Sequence, residues 1–354
     1  MTSPDKDEML EQVQASLSHG PYACSLLSQL SGGTANFVYR GTLIKPLQDG
    51  TRTIVIKHTE PYVASYPSFK LTSTRCDFEQ AILSGLEQLN PISHSGITVQ
   101  TPKLYSFSPE THTQIYADLP SSTELKTYAL MHSLTKAQCS RLGHALGLWA
   151  KTFHAWGAAE QQQSLRQVMI GNVAMRELKY AINYARLVAT VEDFPDILQG
   201  SREVFEAVAM DVRAWLDREE GTLVHGDFWS GNIFVIDWEL SHLSTAAFDL
   251  GQMIAELFEL KHFKDIDAGI WIIEAFVKGY GRLDDEIAFR TAIHAGVHLI
   301  CWGSRVQGWG TREQIEEVVE VGRGFVVKGW EKERGYFEGS ALGCLFDALV
   351  DGGD

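Results

Sequence analysis

The feature that most constrains this chain is the stretch from His225 to Glu239. It opens with His-Gly-Asp, places Asn232 five positions after Asp227, and continues through an apolar run to Asp237-Trp238-Glu239. Phosphoryl transfer requires such a set, because one carboxylate must orient the acceptor hydroxyl while amide and carboxylate oxygens bind magnesium. His-Gly-Asp alone also fits a solvated loop beside a buried strand. The position of Asn232 and the second acidic cluster together favour phosphoryl transfer.

The same residues resemble a known family. His225-Gly-Asp227 with Asn232, followed by Ile236-Asp237-Trp238-Glu239, is similar to the aminoglycoside phosphotransferase and choline kinase superfamily, especially its fungal small-molecule kinases and methylthioribose kinases. The resemblance implies an α+β, protein-kinase-like fold of two lobes. In that fold the N-lobe, residues 1–117, carries a small antiparallel sheet, and the larger, mainly helical C-lobe covers residues 118–354.

The resemblance also implies a role for each polar residue of the stretch. Asp227 is the expected catalytic residue, which orients the substrate hydroxyl and accepts its proton. Asn232, Asp237 and Glu239 are the expected ligands of Mg²⁺, and ATP is the expected phosphoryl donor. The expected activity is the phosphorylation of a hydroxyl on a small molecule, such as an amino-alcohol or a sugar.

The stretch departs from the family in one respect. Only four residues separate Asn232 from Asp237, where members of the family have a longer β-hairpin. The two side chains can face each other only if the intervening residues form a two-residue turn, Phe234-Val235. Such turns require positive φ, which Phe and the β-branched Val disfavour. The alternatives are therefore a catalytically impaired kinase, a metabolite-binding protein, or a coding segment missing after Asn232.

The first third of the chain predicts a nucleotide site. Gly32, Gly33 and Thr34 lie between two predicted strands, where glycines let backbone amides approach phosphates. An ordinary hairpin turn explains the glycine pair equally well. Lys57 ends the apolar strand 54–56, and a buried lysine requires an anionic partner. In kinase-like folds the partners are nucleotide phosphates and a glutamate on a helix.

Glu79, on a helix predicted over residues 73–89, is the glutamate that suits Lys57. The alternative is a surface ion pair between Glu79 and Arg75, one turn earlier on the same helix. The resemblance of this helix to the family's helix favours Lys57. Asp118 lies where the chain leaves the predicted sheet, and the resemblance implies that this segment is a hinge that binds the nucleotide's adenine.

The spacing after the central stretch indicates the class of acceptor. Eleven residues separate Asp237 from Asp249, too few for the activation segment of a protein kinase, and no Ala-Pro-Glu sequence follows. We therefore expect a small hydroxylated acceptor. The resemblance assigns Asp249 to bracing the catalytic loop, with a helix N-cap as the alternative. His154, near the end of a predicted helix, is interpreted as a core or capping residue.

Tryptophans are the candidate walls of the acceptor site. Trp302 and Trp309 are each flanked by glycine, and Trp229 lies in the central stretch. Broad apolar side chains of this kind commonly line small-molecule pockets. Arg305, between two of them, could bind an anionic group or stack on an indole. A role for Trp302 and Trp309 in the core is equally compatible with the sequence.

Composition excludes several other classes of function. The formal net charge of −15 argues against binding to nucleic acid or to an anionic membrane, and weakly favours a cationic amine as acceptor. The five cysteines form no Cys-x-x-Cys pair, so free thiols in a reducing compartment are expected. No signal peptide is recognisable, and a cytoplasmic protein is expected. The sequence gives no indication of oligomeric state.

Overall fold

The computed structural model describes residues 6–30, 34–232 and 236–347. Gly32 and Gly33 of the expected nucleotide site, and the expected turn Phe234-Val235, lie outside these ranges. The strands are β1 (Cys24–Gln29), β2 (Phe37–Leu43), β3 (Thr53–His58), β4 (Tyr62–Val63), β5 (Tyr66–Lys70), β6 (Ile92–His94), β7 (Ile97–Val99), β8 (Leu104–Ser108), β9 (Thr113–Ala117), β10 (Thr222–Val224) and β11 (His242–Ser244).

The helices are α1 (Lys6–Leu17), α2 (Arg75–Leu86), α3 (Leu125–Met131), α4 (Lys136–Ala158), α5 (Gln163–Ile170), α6 (Val173–Tyr180), α7 (Arg186–Thr190), α8 (Pro195–Leu198), α9 (Arg202–Leu216), α10 (Ala247–Lys264), α11 (Ala268–Tyr280), α12 (Asp285–Cys301), α13 (Arg312–Trp330) and α14 (Arg334–Phe337). A turn of π-helix, Ala181–Ala185, joins α6 to α7. It interrupts the single helix that the sequence predicts over residues 171–189.

The first compact unit comprises Met1–Gln88 and Thr101–Ser122. Its antiparallel sheet has the strand order β1-β2-β3-β9-β8. On β3, Ile54 and Ile56 are buried, as the period of two in a strand requires. Met9 of α1 joins the same core. Because β3 pairs with strands on both sides, Lys57 lies at a position fixed by Val38 and Gln114.

The second compact unit comprises Leu89–Gln100 and Thr123–Asp354, and it is mainly helical. Its longest helix, α4, begins with the capping box that the sequence predicts between Thr135 and Gln138. A Cβ atom at Gly147 of α4 would lie 2.0 Å from the carbonyl oxygen of Phe276 on α11, so glycine is required where these helices cross. Most residues of α10 are buried, which makes it the central helix of this unit.

These observations confirm the predicted fold class, with an antiparallel sheet in the first unit and a mainly helical second unit. The lobe boundaries 1–117 and 118–354 stay a prediction; in the structural units the hairpin β6–β7 belongs to the second unit. Among the described residues, no helix is both long and apolar enough to cross a bilayer. All five cysteines are free thiols, as expected.

Candidate active site

Lys57 and Glu79 form a buried ion pair in the first unit. Lys57 Nζ donates to both carboxylate oxygens of Glu79, at 2.8 and 2.9 Å. The side chain of Lys57 is 9% exposed and that of Glu79 is 1% exposed. The pair that the sequence favours is therefore present, and it holds the lysine ammonium at a fixed position at the end of β3.

Arg75 has other partners and is buried like Glu79, so a surface ion pair between Arg75 and Glu79 does not describe this helix. Arg75 is fully buried, and its guanidinium donates to the carbonyl oxygens of Glu60 and Thr72 at 2.8 and 2.7 Å. It also donates to Asn36 Oδ1 at 2.9 Å. Arg75 thus ties the start of α2 to the segment that follows the glycine pair.

Thr34 is the one predicted loop residue of the nucleotide site that the described ranges include. Its side chain is exposed. Its carbonyl oxygen accepts a hydrogen bond from the Ser65 amide at 3.0 Å, and that of Ala35 accepts one from Ala64 at 3.2 Å. The backbone after the glycines is therefore fixed by hydrogen bonds to the β4–β5 turn. The sequence gives no signal of these bonds.

Asp118, the predicted hinge residue, is bound through its side chain within the first unit. Its Oδ1 atom accepts from Arg40 Nε and Nη2 at 3.1 and 3.0 Å. Its side chain is 3% exposed. The contact joins β2 to the end of β9, so the Asp118 carboxylate has a structural partner in β2.

In the second unit, Asp249 braces the turn that carries the catalytic-loop motif. Its two carboxylate oxygens accept the backbone amides of His225 and Gly226 at 2.8 and 2.9 Å. Gly226 has φ +80°, and a Cβ atom there would lie 2.2 Å from the Leu240 carbonyl oxygen. Glycine is therefore required at this turn. The bracing contact expected of Asp249 is present, and its side chain does not cap α10.

His154 is the third donor to Asp249, and it is a buried core residue, as the sequence indicates. His154 Nε2 donates to Asp249 Oδ2 at 3.0 Å. Burial alone opposes ionisation of Asp249, but His154 and the nearby His225 outweigh it and lower the pKa of the carboxyl group. A charged carboxylate is the form that accepts three such donors.

His225 is a neutral, fully buried imidazole. Burial lowers its pKa, against the opposing charges of Asp249, Asp227 and Asp237. Its Nδ1 accepts the backbone amide of Asp227 at 3.2 Å, and its Nε2 donates to the Ile236 carbonyl oxygen at 3.0 Å. These two contacts require the Nε2-protonated tautomer. The histidine therefore links the two ends of the central stretch.

Both oxygens of the Asp227 carboxylate are held by side-chain amides. Gln252 Nε2 donates to Oδ1 at 2.7 Å, and Asn232 Nδ2 donates to Oδ2 at 3.1 Å. Asn232 Nδ2 also donates to the Asp227 carbonyl oxygen at 3.0 Å. The side chain of Asp227 remains 26% exposed. The carboxylate is thus both oriented and accessible from solution.

The buried side chain of Lys179 lies near the Asp227 carboxylate. Lys179 Nζ donates to Gln252 Oε1 at 2.6 Å and lies 4.0 Å from Asp227 Oδ1. Burial lowers the pKa of Lys179, while Asp227, Asp249 and Glu256 act in the opposite direction. Neither Lys179 nor Gln252 could be identified from the sequence, because the contact between them joins helices that are distant in the chain.

The predicted metal ligands of the second unit lie around one short connection. The Ile236 amide donates to the Asn232 carbonyl oxygen at 3.4 Å. One carboxylate oxygen of Asp237 and one of Glu239 lie within 4.8 Å of each other. Asp237 has φ +69°, a left-handed conformation in which aspartate is enriched relative to most residues that carry a Cβ atom.

Asn172 fixes the backbone at Glu239 and just after it. Its side-chain amide donates to the carbonyl oxygens of Glu239 and Ser241, at 3.1 and 2.8 Å. Trp238, between the two acids, is fully buried and lies 4.3 Å from the His225 ring, centroid to centroid. One buried aromatic residue and one buried amide therefore anchor this segment.

Two of the predicted wall residues, Trp229 and Trp309, share a cation. Lys126 Nζ lies 5.2 Å from the Trp229 ring centroid and 4.1 Å from that of Trp309. It also donates to Glu256 Oε2 at 2.8 Å. Burial opposes ionisation of Glu256, but His298 and Lys126 outweigh it and lower its pKa to about 2. The Glu256 carboxylate in this aromatic and ionic cluster is therefore charged at neutral pH.

Trp302 and Arg305 have separate partners. Trp302 Nε1 donates to Asn183 Oδ1 at 3.0 Å, and its side chain is 40% exposed, so it is not a core residue. Arg305 donates to Asp193 Oδ2 at 2.6 Å. The structure therefore brings Trp229 and Trp309 together at Lys126, while Arg305 binds a carboxylate of its own chain.

The residues that sequence reasoning missed are mostly supports: His154, Asn172, Lys179 and Gln252. Each bonds to a residue at least 67 positions away in the chain, so no local spacing could have revealed them. The one available signal was a polar side chain at a helix position that periodicity assigns to the interior.

Several known proteins are similar to this chain in sequence. A model of the phosphotransferase enzyme family matches residues 43–289. Phosphotransferase FrzJ from Cladobotryum sp is 30% identical over 378 aligned residues, which cover 98% of each chain. The 4-hydroxytryptamine kinase of Psilocybe cubensis is 24% identical over 328 residues, which cover 84% of this chain and 85% of that one.

Among solved structures, the streptomycin-ATP-APH(2")-IIa ternary complex has a TM-score of 0.48 and 14% identity, over 92% of this chain and 99% of that one. The family match covers more than half of the chain, and the similarity to FrzJ covers nearly all of it. The predicted enzyme class is thereby confirmed. The chain belongs to the phosphotransferase enzyme family.

Proposed function

We propose that this protein transfers the terminal phosphoryl group of ATP, in the presence of Mg²⁺, to a hydroxyl group of a small molecule. The observation that carries the proposal is the Asp227 carboxylate, which Gln252 and Asn232 hold by both oxygens while it remains accessible. A carboxylate held in this way is suited to receive a proton from an acceptor hydroxyl.

In the proposed reaction, Asp227 orients the acceptor hydroxyl. The hydroxyl oxygen forms a bond to the γ-phosphorus as the bond from that phosphorus to the bridging β–γ oxygen breaks. ADP is the leaving group, and the hydroxyl proton passes to Asp227. Because the transition state is loose, positioning contributes more than the basicity of Asp227. The bracing of the loop by Asp249 serves that positioning.

The residues at the short connection fit a hard divalent cation. The Asn232 amide nitrogen is committed to Asp227, so its amide oxygen is the atom left for a ligand role. With the carboxylates of Asp237 and Glu239, which approach each other within 4.8 Å, it would form an all-oxygen donor set of the kind that Mg²⁺ prefers. Magnesium, when bound, supplies positive charge that offsets the charge of the phosphates.

Lys57 is the proposed phosphate-binding residue of the first unit. A lysine ammonium held at a fixed position is a suitable donor to the oxygens of an anionic phosphate group. Glu79 holds this side chain in place through two hydrogen bonds. We assign backbone contacts to the phosphates to Gly32, Gly33 and Thr34, and contacts to adenine to the segment at Asp118, on the resemblance alone.

For the acceptor we propose a hydroxylated amine that carries an aromatic ring or a sugar. Trp229 and Trp309 supply flat apolar surfaces, and the anionic Glu256 lies at the same cluster. The 4-hydroxytryptamine kinases among the relatives support an acceptor of this class. The net charge of −15 favours a cationic ligand in addition.

The test is a screen for ADP release by the purified protein, with Mg-ATP and a panel of hydroxylated amines that includes 4-hydroxytryptamine, amino-alcohols and amino sugars. We expect acceptor-dependent ADP release with at least one member, and a loss of about a hundredfold or more in Asp227→Ala. Full acceptor-dependent turnover by Asp227→Ala would show that the role proposed for Asp227 is wrong.

A second candidate function is nucleotide or metabolite binding without turnover. The four-residue connection between Asn232 and Asp237 favours it, since a shorter connection constrains the magnesium ligands. Calorimetric titration of ATP with Mg²⁺ and with EDTA separates the two. The kinase proposal predicts tighter ATP binding with Mg²⁺, whereas equal affinities would support an impaired metal site.

A further inference from the structure

Gln252 connects two groups of opposite charge in the interior of the second unit. Its amide nitrogen donates to Asp227 Oδ1 at 2.7 Å, and its amide oxygen accepts from Lys179 Nζ at 2.6 Å. Gln252 is 4% exposed and Lys179 is 3% exposed. The carboxylate therefore reaches a buried cation through one side-chain amide.

The chemistry of these groups fixes the orientation of the amide. A lysine ammonium can only donate hydrogen bonds, and an ionised carboxylate can only accept them. The amide has one accepting end and one donating end, so it can satisfy both neighbours in one orientation only. If Lys179 were absent, the amide could turn its oxygen towards Asp227 and repel it.

The same amide fixes the plane of the Asp227 carboxylate. Gln252 binds one oxygen, and Asn232 binds the other at 3.1 Å. Rotation of the carboxylate about its terminal torsion, which is soft in a free side chain, would break both contacts. Lys179 Nζ lies 4.0 Å from the oxygen that Gln252 binds, and its charge attracts that oxygen.

We propose that Gln252 and Lys179 are positioning residues, which act in series to hold the Asp227 carboxylate in the plane that faces the acceptor hydroxyl. This inference rests on the proposed function of Asp227. Lys179 acts through Gln252, and Gln252 acts through Asp227. A displacement of about 1 Å at a reacting group can lower turnover by about a hundredfold.

The experiment measures kcat and KM for Gln252→Leu, Lys179→Met and the double variant, with the acceptor found in the screen. We expect each single variant to lower kcat by about tenfold to a hundredfold, with KM for ATP within about twofold of the parent value. Because the two residues act in series, the double variant should be within about threefold of Gln252→Leu.

Gln252→Glu separates positioning from packing. It keeps the size of the side chain and a partner for Lys179, but it removes the donor to Asp227. We expect normal thermal unfolding and a loss of kcat similar to that of Gln252→Leu. If Lys179→Met fails to fold, the kcat of Gln252→Glu still tests the positioning inference. Gln162→Leu, which removes another buried amide of the same unit, is the matched control and should retain kcat.

Two outcomes test the positioning inference and the proposed function separately. If folded Gln252→Glu and Gln252→Leu keep kcat within about twofold of the parent while Asp227→Asn is inactive, the positioning inference is overturned and the proposed function stands. If Asp227→Asn is as active as the parent, the proposed function is overturned as well.

Discussion

The two compact units hold their functional charges in different ways. In the first unit, Lys57 and Glu79 bond directly, with two contacts of 2.8 and 2.9 Å. In the second unit, Asp227 meets the buried Lys179 through Gln252, and their charged atoms remain 4.0 Å apart. In a direct pair, each residue neutralises the charge of the other. When a side-chain amide lies between the two charged groups, the carboxylate remains accessible and its orientation is fixed.

The difference suits the roles that we propose for the two sets. A phosphate-binding lysine must be charged and held in place, and one carboxylate is enough to stabilise both its charge and its position. A residue that orients a hydroxyl needs a defined plane, which requires a donor for each carboxylate oxygen. The first arrangement should therefore be sensitive to loss of charge, and the second to loss of a donor.

The largest effect on stability is expected for Glu79→Ala, which leaves Lys57 buried without its carboxylate. Loss of one partner of a buried pair costs about 3–5 kcal/mol, whereas replacement of both partners by apolar residues is nearly neutral. Lys57→Met/Glu79→Leu should therefore recover most of that loss. All nine tryptophans lie beyond residue 148, so hydrogen exchange of peptides from β3 and α2 is the suitable measurement.

Exchange protection that is equal in Glu79→Ala and the parent would show that the direct pair contributes nothing to the first unit. A double variant less stable than Glu79→Ala would show that the pair matters for its shape and packing, not for its charge.

The next effect concerns acid stability of the second unit, whose interior contains neutral histidines. Burial lowers the pKa of His242 from 6.5 to about 4, while its hydrogen bond to Leu240 acts in the opposite direction. Between these values the unfolded chain binds a proton that folded His242 does not, so stability falls as pH falls from 6.5 to 4. The total loss is about 3 kcal/mol, and it is absent above pH 6.5.

His242→Asn keeps a donor for the Leu240 carbonyl oxygen and removes the titrating ring. We expect its unfolding free energy, measured by denaturant titration with tryptophan fluorescence, to depend less on pH between 6.5 and 4 by about one proton. An unchanged dependence would mean that His242 titrates normally, and that other groups govern the acid sensitivity of this unit.

The smallest effect distinguishes the two kinds of tryptophan. Trp309 lies over Lys126, whereas Trp302 is bonded to Asn183. Trp309→Ala should raise KM for the acceptor by about fivefold to tenfold, because an aromatic wall is lost, and Trp302→Ala should change it by less than about twofold. Steady-state kinetics with varied acceptor measure both. Equal effects would remove the distinction between the two positions.

The sequence was most informative where function depends on local spacing. The strand that carries Lys57, the helix with Glu79 and the capping box of Thr135 and Gln138 each lie within one element, and the structure contains all three. Periodicity and propensity act over such short ranges, so these features could be predicted.

The supports of the catalytic loop could not be predicted in this way. The contacts of His154 with Asp249 and of Asn172 with Glu239 depend on how distant elements pack. A polar residue in a helix has the same local pattern whether it faces water or a buried carboxylate. The bridge from Lys179 through Gln252 is a further example, because neither residue belongs to a recognisable motif.

The central claim is that the Asp227 carboxylate acts on the acceptor hydroxyl, and the most direct measurement is phosphoester formation by Asp227→Asn, followed by ³¹P NMR with Mg-ATP and the acceptor. This substitution keeps the size of the side chain and removes its charge. The account predicts a loss of turnover of about a hundredfold or more, with ATP affinity within about threefold of the parent protein. Phosphoester formation at the parent rate would contradict it.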